Sequence, residues 1–591
     1  MKRHTSVFLV SLLSVFFLLT AISCKKTFDV LPKSEVDQTQ AYRNVYDADA
    51  AVIGIYGKLM KVAKQYIILN ELRGDLMDIT ANSDIYLKQL SEQTVTEDNP
   101  YINPQPFYDV INNCNDALKN FTIMFQQNKL KADEYNQRYS DVGAIRSWLY
   151  LQLGIHFGNI PYVTDPLAQV SDLHDPSKFP MLPLNQLIDS LVKFTENLPF
   201  LENYPAGTNL QTVVDGYPTS KFFINKNILL GDLYLWQGQY DKSADYYKRV
   251  MTINGPVGNT ELWYNQYRIS SFGNAGVTYT RAQDFSSLVY TNGWRYLFER
   301  PVTDNEFNWE MIWALPFDKN FAPQNPFTDL FSPNGGSYLV KPSQQSIDNW
   351  NSQTQVYTST GGTGTAPAIF TDNFPFDSRG VFSYRNIGGQ PVIMKFIYNY
   401  LGTDNLPINI LAKQGKWFLT RTATLHLHYA EAANRAGKYK VAYALVNRGI
   451  AFTYDPIPGG SNARDVSNIQ QTFLPYPYDF DGRQGDAPPY RNTWYRNQGI
   501  RGRAGLKVVT LPATDSVTNV ENMIINENAL ELAYEGQRWP DLLRIAIRRN
   551  DPSFIADKIY NKLLKSGMSA GAASQARSKL LSKNWFLPFK W

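Results

Sequence analysis

The chain has little cysteine, little histidine and little excess charge. Only two of its 591 residues are cysteines and five are histidines. Two cysteines cannot build a disulfide scaffold or a cysteine-rich metal site, and five histidines argue against a catalytic zinc. The formal net charge of +4 gives no reason to expect nucleic acid as a partner. We therefore expect no metal, no cofactor and no nucleic acid.

Long apolar runs are also scarce, and the one at the N-terminus is informative. Two basic residues precede an uncharged, mostly apolar run over 7–22. This run is shorter than the roughly 20 residues that a membrane-spanning helix needs, but it suits a secretory signal. Small residues flank the last step before Cys24, as a lipoprotein signal peptidase requires. We expect 1–23 to be a signal peptide and Cys24 to carry lipid; the alternative is an ordinary signal with an incidental cysteine.

Helical periodicity dominates the rest of the chain and predicts a mainly α protein. Helices are predicted over 40–64, 105–125, 133–158, 183–198, 221–252, 417–450, 518–549 and 553–583. Long loops with short strands are predicted over 253–308, 319–380 and 452–512, where Ser, Thr, Gly, Asn and Pro are frequent. No charge-rich or proline-rich linker divides the chain, so 24–591 is predicted to form a single domain.

Two segments match the tetratricopeptide pattern of paired helices. In 230–240, Gly231 allows close helix contact and Gly238 ends the first helix. The second segment, 430–444, has Gly437 at the position that corresponds to Gly238. The two turns lie 199 residues apart rather than the usual 34 or so. Helix pairs are therefore predicted to assemble from distant parts of the chain.

Further motifs follow one another in a characteristic order. They are CKKTFDVLP (24–32), ADAAVIGIY (48–56), ELRGD (71–75), FYDVINNCN (107–115), the helix and turn over 144–161, EMIW (310–313), YAEA (429–432) and the Glu- and Arg-rich segment 527–544. In this order they resemble the SusD/RagB family of outer-membrane nutrient-binding lipoproteins of Bacteroidota.

The resemblance implies a function at the cell surface. Such proteins sit, lipid-anchored, on the outer membrane as a lid over a TonB-dependent, SusC-like transporter. They capture an oligosaccharide, or in the RagB branch a peptide, and pass it inward without acting as enzymes. Three hypotheses stay open: a glycan-binding lipoprotein, a peptide-binding one on the same scaffold, and a helical scaffold protein or hydrolase.

One acidic cluster bears on the enzyme alternative. Glu527, Glu531 and Glu535 share one helical face at four-residue spacing, and paired carboxylates can hydrolyse glycosides. Arg538 and Arg544 follow closely, so we interpret the cluster as a structural ion network. The Arg-Gly-Asp tripeptide at 73–75 is interpreted in the same way, as a buried salt-bridging turn.

Candidate ligand contacts are aromatic residues beside short polar ones in loop-rich sequence. Sugar rings stack their C–H faces on aromatic rings, and amides or carboxylates meet their hydroxyls. The predicted contacts are Asn82, Asp84, Tyr86, Tyr101, Tyr338, Trp350, Trp494 and Tyr495. For each of them, packing in the core is an equally good explanation.

Overall fold

The structure is a computed structural model. It describes residues 41–167, 175–214, 216–251, 271–272, 275–276, 296–299, 310–357, 372–374, 377–454, 472–480, 499–504 and 506–590. Three predicted functional residues, Cys24, Trp494 and Tyr495, lie outside these ranges, as does the predicted signal peptide.

Helices make up most of the structure, with 54% helix against 10% strand, so the predicted mainly α class is confirmed. The α-helices of eight or more residues are Val45–Leu59, Gln105–Gln126, Ala132–Phe157, Leu184–Glu196, Lys226–Gln237, Tyr240–Met251, Gln344–Asn351, Thr422–Arg435, Tyr439–Val446, Ser516–Glu531, Arg538–Arg549, Ser553–Lys565 and Ala570–Leu581. Shorter α-helices are Ala63–Ile67, Ile85–Ser91, Tyr296–Glu299, Phe327–Phe331, Ser378–Ser383, Ile450–Tyr454 and Ile500–Arg503. Across the described ranges, no helix combines the length and the apolar character that crossing a membrane requires.

The strands form short antiparallel pairs, seven of them in the described part of the chain. They are Met77–Ile79 with Val340–Pro342, Asn159–Pro161 with Met181–Pro183, Val213–Val214 with Tyr217–Pro218, Ser271–Phe272 with Ala275–Gly276, Met311–Phe317 with Gly415–Arg421, Gln355–Tyr357 with Asp372–Phe374, and Tyr384–Ile387 with Gln390–Ile393. These pairs agree with the prediction of short strands on a helical scaffold.

The predicted helix boundaries were wrong at several places. The helix predicted over 553–583, for example, is two helices, Ser553–Lys565 and Ala570–Leu581. Two further cases have a clear physical cause. The predicted helix over 417–450 begins as the strand Gly415–Arg421, which is largely buried and pairs with Met311–Phe317. The predicted helix over 518–549 is interrupted after Glu531, and a turn with Gly536 at φ +84° precedes the next helix. In both places tertiary packing decides the backbone conformation, which a periodic pattern does not encode.

The two tetratricopeptide-like helix pairs form as predicted and lie together. Gly238 and Gly437 end their first helices with φ of +82° and +78°, a conformation that glycine adopts without strain. A Cβ on Gly231 would overlap the ring of Tyr247, so the first pair requires this glycine for its close contact. His428 of the second pair approaches Asp232 of the first at 2.9 Å.

The larger of two hydrophobic cores draws on residues from Ala48 to Leu587. Its centre holds three tryptophans, with Trp148 at 5.3 Å from Trp313 and 6.3 Å from Trp417 between ring centroids. The smaller core lies between the two helix pairs. Trp148 and Tyr150 are both buried in the larger core.

Candidate functional site

One surface patch unites four of the predicted ligand contacts, and Asp84 organises it. Its carboxylate accepts a hydrogen bond from the backbone N–H of Leu87 at 2.8 Å and so caps the helix Ile85–Ser91. The other carboxylate oxygen accepts a hydrogen bond from the Tyr101 hydroxyl at 2.9 Å. Burial and the Asp84 carboxylate raise the pKa of Tyr101, so this hydroxyl stays protonated. We call Asn82, Asp84, Tyr86 and Tyr101 the Tyr101 patch.

Asn99 holds the two tyrosines of the patch in place. Its side-chain N–H₂ donates to the backbone carbonyl of Tyr86 at 2.9 Å, and its Oδ1 accepts from the N–H of Tyr101 at 3.0 Å. Asn99 is buried, although the residues it holds reach the surface. The sequence analysis missed it; the only signal was its place as a cap before Pro100, where the short helix Pro100–Ile102 begins.

Asn82 joins the patch to the turn that precedes the strand Val340–Pro342. Its side chain donates to the carbonyl of Ser337 at 3.1 Å. Thr80 Oγ1 donates to the carbonyl of Tyr338 at 2.6 Å. Asn82 and Asp84 are exposed, whereas Tyr86 and Tyr101 are half-buried. The patch therefore presents two partly exposed aromatic rings beside an exposed amide and an exposed carboxylate.

Tyr338 lies near this patch through its backbone, but its ring belongs to the core. The side chain is buried, and its hydroxyl donates to the carbonyl of Pro391 at 2.8 Å. The backbone at Tyr338 has φ +48°. A stacking role for this ring, as predicted from its loop sequence, does not fit its burial.

The prediction for Trp350 was wrong in its local structure. The residue lies in the helix Gln344–Asn351 rather than in a loop, and only 1% of it is exposed. Its Nε1 donates to the carbonyl of Leu530 at 3.1 Å, and its ring packs near those of Tyr384 and Tyr534. A ring enclosed on all sides has no face left for a sugar.

The acidic cluster near the C-terminus is an ion network, as interpreted from the sequence, but its partners differ from the predicted ones. Arg421 pairs with Glu531 at 2.8 Å and with Glu535 at 2.7 Å. Arg379 pairs with Glu527 and Glu531, both at 2.7 Å. Burial opposes the ionisation of Glu535, but Arg421 and a neighbouring lysine outweigh it and lower the pKa of this carboxyl. Carboxylates that are buried and paired with arginines in this way are not open to a sugar.

The two arginines first assigned to this network serve other partners. Arg538 pairs with Asp75 at 2.8 Å, and Arg544 pairs with Glu431 at 3.0 Å. The Arg-Gly-Asp tripeptide is therefore a buried salt-bridging turn, as predicted. Its arginine, Arg73, instead stacks on Trp539 at 3.9 Å from the ring centroid.

Metal ligands are not gathered anywhere in the ranges that the structure describes. Within those ranges, no group of three or more His, Cys, Asp or Glu residues could hold a metal ion. The chemistry that the Tyr101 patch offers is hydrogen bonding and ring stacking, which suits a neutral, hydroxyl-rich ligand.

Comparison with known proteins places this fold in context. The SusD family model matches residues 494–583. A SusD-like protein, P2, from Formosa agariphila is 22% identical over 253 residues, which cover 42% of this chain and 45% of that protein. The matched stretch thus spans less than half of the length of that relative.

Solved structures resemble the chain over most of its length. A SusD superfamily protein from Bacteroides vulgatus has a TM-score of 0.55 at 16% identity and covers 89% of this chain and 94% of its own. A SusD-like carbohydrate binding protein from Bacteroides fragilis has a TM-score of 0.53 at 15% identity, with coverage of 87% and 88%. Surface glycan-binding protein A from Bacteroides uniformis has a TM-score of 0.51 at 16% identity, with coverage of 85% and 89%. The SusD-like fold and the resemblance to the SusD/RagB family are thereby confirmed.

Proposed function

We propose that this chain is a glycan-binding lipoprotein of the cell surface. It is anchored in the outer membrane through lipid on Cys24, captures an oligosaccharide, and delivers it to a TonB-dependent, SusC-like transporter. It performs no catalysis. The observation that carries the proposal is the Tyr101 patch on a SusD-like fold, since two of the structurally similar proteins are described as binding carbohydrate or glycan.

The patch supplies what recognition of a sugar needs. Partly exposed rings can stack on the apolar C–H face, while the Asn82 amide and the Asp84 carboxylate can meet hydroxyl groups. Asn99 holds the backbone of both tyrosines, and the Tyr101 ring is also fixed through its hydroxyl on Asp84, so little freedom of this ring is lost on binding. A ligand of this kind is held by shape and hydrogen bonds, and its release to a transporter needs no chemical step.

The binding site is tested by titration of the full chain with neutral oligosaccharides in a calorimeter. Tyr101→Ala removes a ring and leaves the Asp84 cap in place, so binding should weaken by roughly tenfold or more, as expected for a loss of 1–3 kcal/mol. Tyr101→Phe keeps the ring and is the matched control, with a smaller loss. Unchanged affinity in Tyr101→Ala and Tyr86→Ala would place the site elsewhere.

The anchor is tested separately. Cys24→Ala should release the protein from the membrane fraction or leave its signal unprocessed. If the variant is processed and fractionates like the wild type, Cys24 is not the lipidation site. The peptide alternative predicts a different result: a peptide binds through the Tyr101 patch, and no sugar binds there or displaces it.

A further inference from the structure

Three cavities adjoin one another along the C-terminal helices Ser516–Glu531, Ser553–Lys565 and Ala570–Leu581. Their volumes are about 410, 460 and 400 Å³, each within the range of small-molecule sites. The first two share Asn522 and Asn526 in their linings. The second and third share two lining residues as well, Asp557 and Asn561. These shared residues place the three cavities side by side along the helices, and together we call them the C-terminal groove.

Side-chain amides line the groove at regular intervals. Asn519, Asn522 and Asn526 are three and four residues apart, so they stand on one face of the helix Ser516–Glu531. They span about 10 Å along the helix axis at 1.5 Å per residue. Asn526 and Asn561 are exposed, and neither side chain hydrogen-bonds to any residue that the structure describes. Each offers two donors and one acceptor to a ligand.

The charged groups of the groove largely neutralise one another. Four cationic and three anionic side chains line it. Arg501 pairs with Glu527 at 3.2 Å, and Arg577 donates to Asp557 at 2.7 Å. Such a lining does not select a polyanion, for which unpaired cations would be needed, and it favours a neutral polar ligand.

Aromatic surface accompanies the amides. Phe554 and Tyr560 line the second and third cavities, and both are half-buried. The guanidinium of Arg549 lies 4.9 Å from the centre of the Phe554 ring and also donates to the Asn522 Oδ1 at 2.9 Å. Asn522 Oδ1 thus accepts a hydrogen bond from Arg549, and the N–H₂ group of Asn522 remains as a donor for a ligand.

We propose that the C-terminal groove is a second binding site for a neutral oligosaccharide, separate from the Tyr101 patch. Amides beside apolar ring surface match the hydroxyls and C–H faces of a sugar chain. Three adjoining cavities accommodate several sugar rings in a row. The helices that carry the asparagines have buried inner faces, so these side chains are positioned before the ligand arrives and little ordering is needed at them on binding.

The test uses the purified full chain and four probes: cellohexaose, maltohexaose, xylohexaose and mannohexaose. Binding is measured by calorimetry on the wild type and on three variants. The groove variant carries Asn526→Trp and Asn561→Trp, which fill the groove at exposed positions. The patch variant carries Tyr86→Ala and Tyr101→Ala. The matched control is Asn185→Trp, an exposed helical asparagine outside the groove.

The proposal predicts that at least one hexasaccharide still binds the patch variant. The same hexasaccharide should bind the groove variant at least tenfold more weakly at the groove, while the control binds like the wild type and all variants melt alike. The proposal is overturned if no probe binds the patch variant, or if filling the groove leaves every affinity unchanged.

Discussion

Single buried polar residues of this chain depend on partners from distant parts of the sequence. Glu71 accepts hydrogen bonds from the backbone N–H groups of Gly536 at 2.7 Å and Gln537 at 3.0 Å. Burial raises the pKa of Glu71 to about 7, although these N–H groups favour its charged form. The carboxylate satisfies the donors of a turn that would otherwise be buried without partners. From the sequence, one can predict that such a residue is buried, but not which turn it serves.

The charge of His428 is tied to stability because the ring is buried between two carboxylates. Burial disfavours its charged form, but hydrogen bonds to Asp232 and Asp541 outweigh this and raise the pKa of His428 to about 10. Its contribution is therefore fully present below pH 6.5, the ordinary pKa, and is lost as the pH rises through about 10.

We expect His428→Gln to remove this dependence. The wild type should lose its advantage in free energy of unfolding over the variant, on the order of a few kcal/mol, between pH 6.5 and 10. His426→Gln is the control on the same helix, because burial lowers the pKa of His426 and keeps it neutral throughout this window. Denaturant titrations at several pH values give the comparison. A wild-type advantage over His428→Gln that is constant with pH would show that the ring is not charged in the folded state.

A comparison of Trp350 with Tyr101 distinguishes an aromatic residue of the core from a proposed ligand contact. Trp350→Ala should cost about 3–5 kcal/mol of stability, because it empties a packed site and leaves the Leu530 carbonyl without its donor. Tyr101→Ala should cost much less, since its ring is half-buried at the surface. Thermal melts compare the two directly. A Trp350→Ala variant that melts like the wild type but fails to bind sugar would restore the original prediction of a stacking role.

At the level of elements, helix pairs from distant segments meet through small residues and buried ions. Periodicity predicted the pairs, and the glycines at their turns predicted where the first helices end. The sequence could not reveal that the strand Gly415–Arg421 precedes the second pair, because its apolar residues fit a helix equally well. Pairing with Met311–Phe317, about a hundred residues earlier, decides the outcome.

The first helix pair provides a sharp test of close packing. Gly231→Ala would place a methyl group against the ring of Tyr247, so we expect a loss of about 1–3 kcal/mol. Gly57→Ala is the matched control: it lies in the helix Val45–Leu59 with open space around it, and it should gain about 0.5–1 kcal/mol. Unfolding midpoints of the two variants should move in opposite directions. Equal stabilisation of both would mean that the first pair is looser than the structure shows.

The ion network is the corresponding test for the contact between the strand Gly415–Arg421 and the end of the helix Ser516–Glu531. Arg421→Met would leave Glu531 and Glu535 buried with too few partners, at an expected cost of about 3–5 kcal/mol. Lys565→Met breaks the exposed pair with Asp348, at 2.6 Å, and should cost about 1 kcal/mol or less. Chemical unfolding of both variants checks the difference. An Arg421→Met variant as stable as Lys565→Met would show that the network does not support the fold.

At the scale of the whole molecule, the helical scaffold and the family resemblance were predicted from the sequence and are confirmed, whereas the ligand contacts stay a prediction. The four residues of the Tyr101 patch were predicted as ligand contacts from their residue types, and the structure shows that they lie together. The prediction that Trp350 lies in a loop was wrong, because a polar composition is typical both of a loop and of a short helix with one buried side, such as Gln344–Asn351. Asn99 was missed because it is buried and holds the backbone of the patch, a role that no sequence motif marks.

The central claim is that the chain binds oligosaccharide without altering it. The most direct measurement is calorimetric titration of the full chain with neutral oligosaccharides, followed by chromatography of the recovered sugar. The account predicts saturable binding and a sugar recovered at its original length, because the buried carboxylates of the ion network are held by arginines. Absence of binding to every oligosaccharide, or recovery of shortened products that Glu531→Gln abolishes, would contradict it.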